Sequence, residues 1–190
     1  MATLPPRAAD AAGSAPVFER KTRTALGLLH IRRYRCDAAP TSFGKLGPVV
    51  ALWQGKRRGA ALPRWKDFAI EDFVGWHRYV ALSDLTAAEA DPRFRIFGSG
   101  AAELMGGDLT GKRLTEGILA AARDGVLTQF AAIRDERLIG LLMANVPIPG
   151  LEHRTFKVVE LPLANDSGAV GQILHVFLTT PGLLTPPGVG

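Results

Sequence analysis

Histidine and cysteine are the residues best suited to metal or nucleophilic chemistry, and the sequence holds four of the first and one of the second. Zinc sites commonly place two histidines about three to five residues apart. The histidines here are widely separated, at His30, His77, His153 and His175. Cys36 has no second cysteine for a disulfide or a Cys-x-x-Cys motif. No Gly-x-Ser-x-Gly nucleophile signature occurs, so we predict no metal site and expect the protein not to be an enzyme.

A glycine-rich segment at 106–112, GGDLTGK, matches the first part of a phosphate-binding P-loop. A P-loop needs Ser or Thr after its lysine to bind magnesium, and it follows a buried strand. Arg113 stands at the required position, and residues 101–105 have a helical pattern. The segment is therefore predicted to be a turn whose glycines allow positive φ angles.

His175 has the most informative surroundings of the histidines, because it lies between Leu174 and Val176 in an apolar run. Strand alternation places it on the same face as Ile173 and Phe177. Two interpretations stay open. It is either a hydrogen-bonded core histidine or a group that lines a pocket and responds to ligand or pH.

The elements that would position these residues form an α+β pattern. Strands are predicted over 80–85, 93–97, 141–146, 155–161 and 172–178. The longest helical pattern covers 118–138, with apolar residues three or four apart. Three consecutive strands with short turns favour an antiparallel meander, and the long helix must pack across it.

A shorter helix is predicted over 46–55, where four apolar residues share one face: Leu46, Val49, Val50 and Trp53. Cations complement the dipole at the end of a helix, and three basic residues follow this one: Lys56, Arg57 and Arg58. The apolar stripe must cover either this chain's own sheet or a second copy of the chain.

Charge divides the chain unevenly. Residues 1–65 hold 12 Lys and Arg against 3 Asp and Glu, a net charge of +9, and residues 66–190 hold 11 against 15, a net charge of −4. The basic run at 32–35 contains Arg32, Arg33 and Arg35. Such a split is typical of an interaction segment for an anionic partner or of a solvated extension. Recognisable nucleic-acid-binding motifs are missing, which disfavours nucleic acid as the partner.

The ends of the chain have little apolar bulk. Residues 1–16 are predicted to be a flexible tail and the last ten a Pro/Gly tail, while 24–35 could be a strand or a helix. No apolar run approaches the ~18–20 residues of a membrane span, so an integral membrane protein is not expected. A single cysteine favours a reducing compartment, and we predict a cytoplasmic location.

Several runs together carry a family resemblance: LW at 52–53, KRRG at 56–59, LPR at 62–64, DF at 67–68, VALSD at 80–84, RFRIFGSG at 93–100, GGDLTGK at 106–112 and ELPLA at 160–164. With these runs the chain resembles a compact bacterial PAS-domain family. The DLTG before the long helix and the LPL at a strand end are the most specific parts. The resemblance covers residues 46–180 and leaves 1–45 as a basic, partly flexible extension and 181–190 as the tail.

The resemblance implies a PAS fold, in which a five-stranded antiparallel sheet carries helices packed on one side. It also implies a homodimer through the helix before the sheet. Haem and photoactive flavin are not predicted, because 118–138 contains no histidine and Cys36 lies outside the domain. A plain filled core is one interpretation of the interior. The other is a small organic ligand against seven residues: Met105, Phe130, Ile133, Leu142, Phe156, His175 and Val176.

The function implied is that of a stand-alone PAS module in bacterial signalling, acting in trans through protein contacts. Candidate partner-binding residues lie on the short helix, on the basic cluster after it and in the basic run of the extension: Val49, Val50, Trp53, Lys56, Arg57, Arg58, Arg32, Arg33 and Arg35. A small-ligand sensor with a pocket between the sheet and the long helix is the alternative. A basic nucleic-acid-associated protein is the second alternative.

Overall fold

The chain forms β-strands over much of its length, as seen in a computed structural model that describes residues 15–24, 27–85 and 91–179. The strands of these ranges are β1 (Phe18–Thr24), β2 (Gly27–Tyr34), β3 (Val80–Asp84), β4 (Arg93–Phe97), β5 (Ile139–Asn145), β6 (Thr155–Ala164) and β7 (Val170–Thr179). They make one sheet in the order β1-β2-β5-β6-β7-β3-β4, with every neighbouring pair antiparallel. The predicted α+β class and antiparallel meander are confirmed.

The sheet has seven strands rather than the predicted five, because the N-terminal extension contributes two. The segment 24–35, which periodicity left undecided, is mostly strand: β2 pairs with β5 from Leu29 opposite Ala144 to Tyr34 opposite Ile139. β1 then pairs with β2 and forms one edge of the sheet. Of the tail predicted over residues 1–16, the structure describes only residues 15 and 16. The tail predicted over residues 181–190 lies outside the described residues.

Helices cover both faces of the sheet rather than one, which corrects the expectation drawn from the resemblance. The first face is covered by the 3₁₀ segment Pro40–Leu46 and by helix α1 (Gly47–Gly55). Alternation along β6 sends Val159 and Leu161 into this layer, where both are fully buried. Both faces of β6 are apolar because both are covered.

The segment between α1 and β3 completes the first layer with short 3₁₀ turns, Trp65–Asp67, Ile70–Phe73 and His77–Tyr79. The chain keeps extended residues between these turns, so they do not join into one continuous helix. Aromatic stacking holds the segment on the core: the rings of Trp65, Phe68 and Phe73 have centroids 5.7 to 6.2 Å apart.

The second face is covered by α2 (Ser99–Met105), α3 (Leu114–Gly117) and α4 (Ala120–Glu136). α4 corresponds to the long helix predicted over 118–138, and it ends where Arg137 adopts a left-handed conformation with φ 54°. Phe130 and Ile133 are its most buried apolar side chains, on the side that faces the sheet. This helix and the sheet enclose the space described below.

The segment at 106–112 is a turn, as its departure from the P-loop pattern predicts. Asp108 Oδ1 accepts hydrogen bonds from the backbone N–H and the hydroxyl of Thr110, at 2.8 and 2.7 Å. Gly111 has a φ of 79°, which only glycine adopts readily. Its N–H donates to the carbonyl of Phe94, so the turn partly covers the outer edge of β4.

Candidate functional site

A cavity of about 120 Å³ lies between the sheet and α4. An apolar cavity of roughly 150 Å³ is large enough to hold benzene. Its walls come from β2, β4, β5, β6, β7 and the helical layer, and they are apolar apart from a few side chains. The hairpin of β1 and β2 provides one wall: Thr24, Leu28, Leu29 and Ile31. The extension is therefore part of the domain that encloses the cavity.

Five of the residues predicted to line a pocket lie in the wall of this cavity: Met105, Phe130, Leu142, Phe156 and His175. Ile133 and Val176 are not among the described lining residues. Val176 points to the opposite face of the sheet, into the α1 layer, because it alternates with His175 along β7. Ile133 is fully buried in a separate cluster with Phe130 and Ile173.

A buried chain of hydrogen bonds crosses one end of the cavity. Arg33 on β2 donates from Nε to Gln129 Oε1 at 2.8 Å, and Gln129 on α4 donates from Nε2 to Glu160 Oε2 at 2.9 Å. The three side chains belong to residues that are 8%, 2% and 2% exposed, respectively. Gln129 and Glu160 both line the cavity. We call Arg33, Gln129 and Glu160 the relay.

Burial controls the protonation of Glu160. Loss of hydration raises the pKa of its carboxyl to about 7, although the hydrogen bond from Gln129 and the charge of Arg33 act in the opposite direction. A carboxyl with this pKa exchanges its proton in the neutral range, where an ordinary glutamate is ionised. Perturbed carboxyls of this kind, facing a cavity, are typical of functional sites.

Close approach at Gly140 holds this carboxyl in place. Gly140 lies directly opposite Glu160 in the β5–β6 pairing. A Cβ atom at Gly140 would lie 2.6 Å from Ile133 and 2.7 Å from Gln129, and it would also contact Glu160 Oε2. The missing side chain thus leaves the room in which Gln129 reaches the carboxyl.

His175 is a core histidine and also faces the cavity, so the two interpretations of its surroundings are combined. Its Nε2 is 2.7 Å from the Ser83 hydroxyl, and Phe94 and Phe130 pack against its ring with centroids 5.4 and 5.7 Å away. Burial lowers the pKa of this imidazole to about 3, so it is neutral at physiological pH. Ser83 is fully buried and is not among the described lining residues, so the pair stabilises the core.

The apolar side of α1, which was predicted to bind a partner, is covered by this chain's own sheet. Its assignment to a partner interface is therefore wrong. Val49, Val50 and Trp53 are at most 1% exposed. The indole N–H of Trp53 donates to the carbonyl of Pro162 on β6 at 3.1 Å. No surface of these three side chains is left for a second copy of the chain.

The predicted basic contacts are divided between internal pairs and solvent. Arg33 is buried in the relay, which corrects its assignment to a partner surface, and Arg32 contacts Glu19 at 3.1 Å. Lys56 pairs with Asp72 at 2.7 Å. Arg57 donates to the carbonyl of Cys36 at 3.0 Å, while Arg35 and Arg58 are exposed.

Cys36 lies half-buried beside the end of α4. Its thiol donates to the carbonyl of Arg137 with a sulfur–oxygen distance of 3.0 Å. Burial raises the pKa of this thiol, which disfavours the reactive thiolate. Within residues 15–24, 27–85 and 91–179, no group of three His, Cys, Asp or Glu side chains is placed to hold a metal ion.

Glu160 and Gln129 are site residues that the sequence did not predict, and Arg33 was predicted to contact a partner instead of the cavity relay. A signal for Glu160 was present: it is the only charged residue in the apolar run VVELPLA, and alternation places it on the same face as Phe156 and Val158. Gln129 and Arg33 gave no comparable signal, since each lies in a segment with other polar residues.

The observations above define an α+β domain with a cavity between its antiparallel sheet and its longest helix. The family model described as PAS domain matches residues 45–178. The chain therefore belongs to the PAS domain family, a family of signalling sensor modules, and the resemblance seen in the sequence is confirmed. β1 and β2 lie before the matched region.

Solved structures with a related fold are distant. The chain is similar to an RNA-binding light-oxygen-voltage receptor, with 12% identity and a TM-score of 0.41 over 56% of this chain and 31% of that one. It is also similar to a sensory box histidine kinase/response regulator from Burkholderia thailandensis E264, with 16% identity and a TM-score of 0.38 over 54% of this chain and 78% of that one. The chain thus spans under a third of the receptor's length. No curated protein matches it significantly.

A helix that spans a bilayer needs about 20 residues, and all the described helices are shorter. The longest of them, α4, has 17 residues and a polar outer side. In the described parts of the chain, no helix combines the length and the apolar character needed to span a membrane.

Proposed function

We propose that this chain is a PAS sensory module that binds a small, largely apolar molecule in the cavity and passes its occupancy to a protein partner in trans. The observation that carries the proposal is the cavity itself, with apolar walls and a buried polar relay at one end. Apolar concave sites with a few convergent polar groups are the usual form of small-molecule sites. The proposed role is binding without a catalytic step.

The hairpin of β1 and β2 is proposed to carry the effect of ligand binding from the cavity to the surface of the domain. It supplies cavity wall at Leu29 and Ile31 and supplies Arg33 to the relay. The guanidinium of Arg33 also lies 4.3 Å from the centre of the Phe18 ring on β1. A ligand that favours one position of Gln129 would therefore favour one position of the hairpin, which is a shift between conformations by differential affinity.

Occupancy is tested by native mass spectrometry of freshly purified protein and by thermal unfolding with benzene as a probe. A ligand that binds only the folded state stabilises it by mass action, so benzene should raise the melting temperature. Ala122 lines the cavity from α4, and Ala122→Leu should remove the effect by filling the space. Arg123→Leu is the matched control, because Arg123 is exposed on the same helix. No co-purified molecule together with no benzene effect would contradict the proposal.

A protein partner is expected to contact the outer strand of the hairpin. Arg20, Lys21 and Arg23 on β1 are exposed and lie at an edge of the sheet, so an acidic partner surface would suit them. Deleting the extension would remove two strands and open the cavity, so charge reversal is the better test. Arg20→Glu with Lys21→Glu should weaken capture of a partner, while Arg93→Glu, at the opposite edge, should leave it unchanged.

Sedimentation analysis separates self-association from binding of another protein. Concentration-dependent dimers that disappear on charge reversal would identify the partner as a second copy. A strict monomer that captures no protein from a bacterial lysate would contradict action in trans. The bacterial cytoplasm is the proposed setting, because a single cysteine among 190 residues suits a reducing compartment.

A further inference from the structure

At the polar end of the cavity, the two oxygens of the Glu160 carboxyl differ in their hydrogen bonding. Gln129 is engaged at both ends, with Arg33 at its oxygen and Glu160 at its nitrogen. Among the described residues, Gln129 is the only group that hydrogen-bonds the Glu160 carboxyl, and it uses Oε2. The second carboxyl oxygen, Oε1, lies in the wall of the cavity and has no hydrogen-bond partner among the described residues.

The groups around Glu160 favour its protonated form once the cavity is filled. On β2 the facing charge is Arg33, which contacts the carboxyl only through Gln129. On β5 the facing residue is Gly140, and on β7 it is His175, which is neutral. An apolar ligand removes water and adds no charge, and lower hydration disfavours the ionised carboxyl.

We propose that the cavity selects an uncharged molecule with a compact hydrocarbon body and one hydrogen-bond acceptor, of the carbonyl or ether type, which accepts a hydrogen bond from the protonated carboxyl of Glu160. This inference rests on the proposed function. It adds the chemical class of the ligand and assigns Glu160 as the group that selects it.

Charged ligands suit this site less well. A cation would approach the positively charged Arg33 and would lie against apolar walls that return little solvation energy. A carboxylate ligand would bring a negative charge from water to apolar walls, and the burial of an unpaired charge is costly. A neutral hydrocarbon without an acceptor fits the walls but leaves the hydrogen of the Glu160 carboxyl unpaired, which costs free energy when it is buried.

Three probes of matched size test the selection: cyclohexanone, which has an acceptor, methylenecyclohexane, which has none, and cyclohexylamine, which is a cation at neutral pH. Their dissociation constants are measured by ligand-observed NMR at about one pH unit below and above the Glu160 pKa of about 7. We expect the ketone to bind about fivefold more tightly than the alkene at the lower pH, since a net hydrogen bond is worth ~1 kcal/mol. Its advantage should shrink at the higher pH, where the carboxyl has lost its proton.

Two substitutions assign the preference to the carboxyl. Glu160→Gln keeps a donor that does not titrate, so the ketone should keep its advantage at both pH values. Glu160→Leu removes the donor, so ketone and alkene should bind equally. Circular dichroism and thermal unfolding verify that both variants fold, and the glutamine variant retains the test if the leucine variant does not fold.

The outcomes separate this inference from the proposed function. Equal binding of ketone and alkene by the unmodified protein, or tightest binding of the amine, would overturn the acceptor proposal and leave a ligand-binding cavity in place. Failure of all three probes, with no benzene effect on thermal unfolding, would overturn both. A ketone preference that persists in Glu160→Leu would assign the selection to another residue and would also overturn the inference.

Discussion

Replacement of Glu160 by glutamine should change how the stability of the protein depends on pH. In the folded state the Glu160 carboxyl has a pKa of about 7, against an ordinary value of 4.5. Between these two pH values the folded state holds a proton that the unfolded chain has released. Rising pH therefore favours unfolding over this range. The contribution of Glu160 is complete below pH 4.5 and is lost as the pH rises to about 7.

The size of this effect follows from the two pKa values. A displacement from 4.5 to about 7 corresponds to about 3 kcal/mol of unfolding free energy at ~1.4 kcal/mol per pH unit. His175 has the opposite sign, because burial lowers its pKa from 6.5 to about 3 and its stabilising effect is lost as the pH falls. The two contributions oppose each other in the unmodified protein, so its own stability profile should be nearly flat between pH 4.5 and 6.5.

Urea unfolding of both proteins over this pH range isolates the contribution of Glu160. His175 and the other titrating groups are present in both proteins and cancel when one curve is subtracted from the other. The Glu160→Gln variant should gain stability over the unmodified protein by about 3 kcal/mol as the pH rises from 4.5 to about 7. A difference curve that stays level across this range would show that Glu160 has an ordinary pKa. Burial in the relay would then not favour the protonated carboxyl.

Three further substitutions or reactions test other parts of the structure. Trp53→Ala should cost about 3–5 kcal/mol in urea unfolding, because the indole is fully buried under α1; a cost below ~1 kcal/mol would remove it from the core. Gly140→Ala should lower the melting temperature and the free energy of unfolding, the latter by about 1–3 kcal/mol, because the new Cβ meets Ile133 and the Glu160 carboxyl. An unchanged melting temperature would mean that the carboxyl lies elsewhere. The Cys36 thiol should react with Ellman's reagent more slowly in the folded protein than in urea, because burial raises its pKa; equal rates would contradict its burial.

Hydrophobic alternation was sufficient to predict the strands that build the meander. Alternation does not decide where the same pattern of residues suits two different structures. Residues 24–35 have apolar and basic halves that suit a strand or a helix equally, and only the free edge of β5 decides between them. The stripe of α1 is a similar case, since Trp53 would be apolar whether it covers this sheet or another copy.

The candidate site was predictable in its apolar part and hidden in its polar part. Five lining residues follow from the family resemblance, but Val176 was placed with His175 although neighbours in a strand face opposite sides. The relay joins residues that are 96 and 31 positions apart in sequence. No local pattern links such residues, because a hydrogen bond between three elements depends on how those elements pack.

The basic residues of the first third of the chain have different roles in the fold. Arg33 is part of the cavity relay and Arg32 pairs with Glu19, so the net charge of +9 is not displayed as one surface. The exposed cations of the hairpin lie on β1, one strand away from Arg33. Any ligand that moves Gln129 acts on Arg33, and Arg33 contacts β1 through Phe18. The exposed cations of β1, which we propose as the contact for an acidic partner, are thereby connected through Arg33 to Gln129, which lines the cavity. Substitutions at Gln129 should therefore change the capture of a partner, although Gln129 is buried and would not contact that partner.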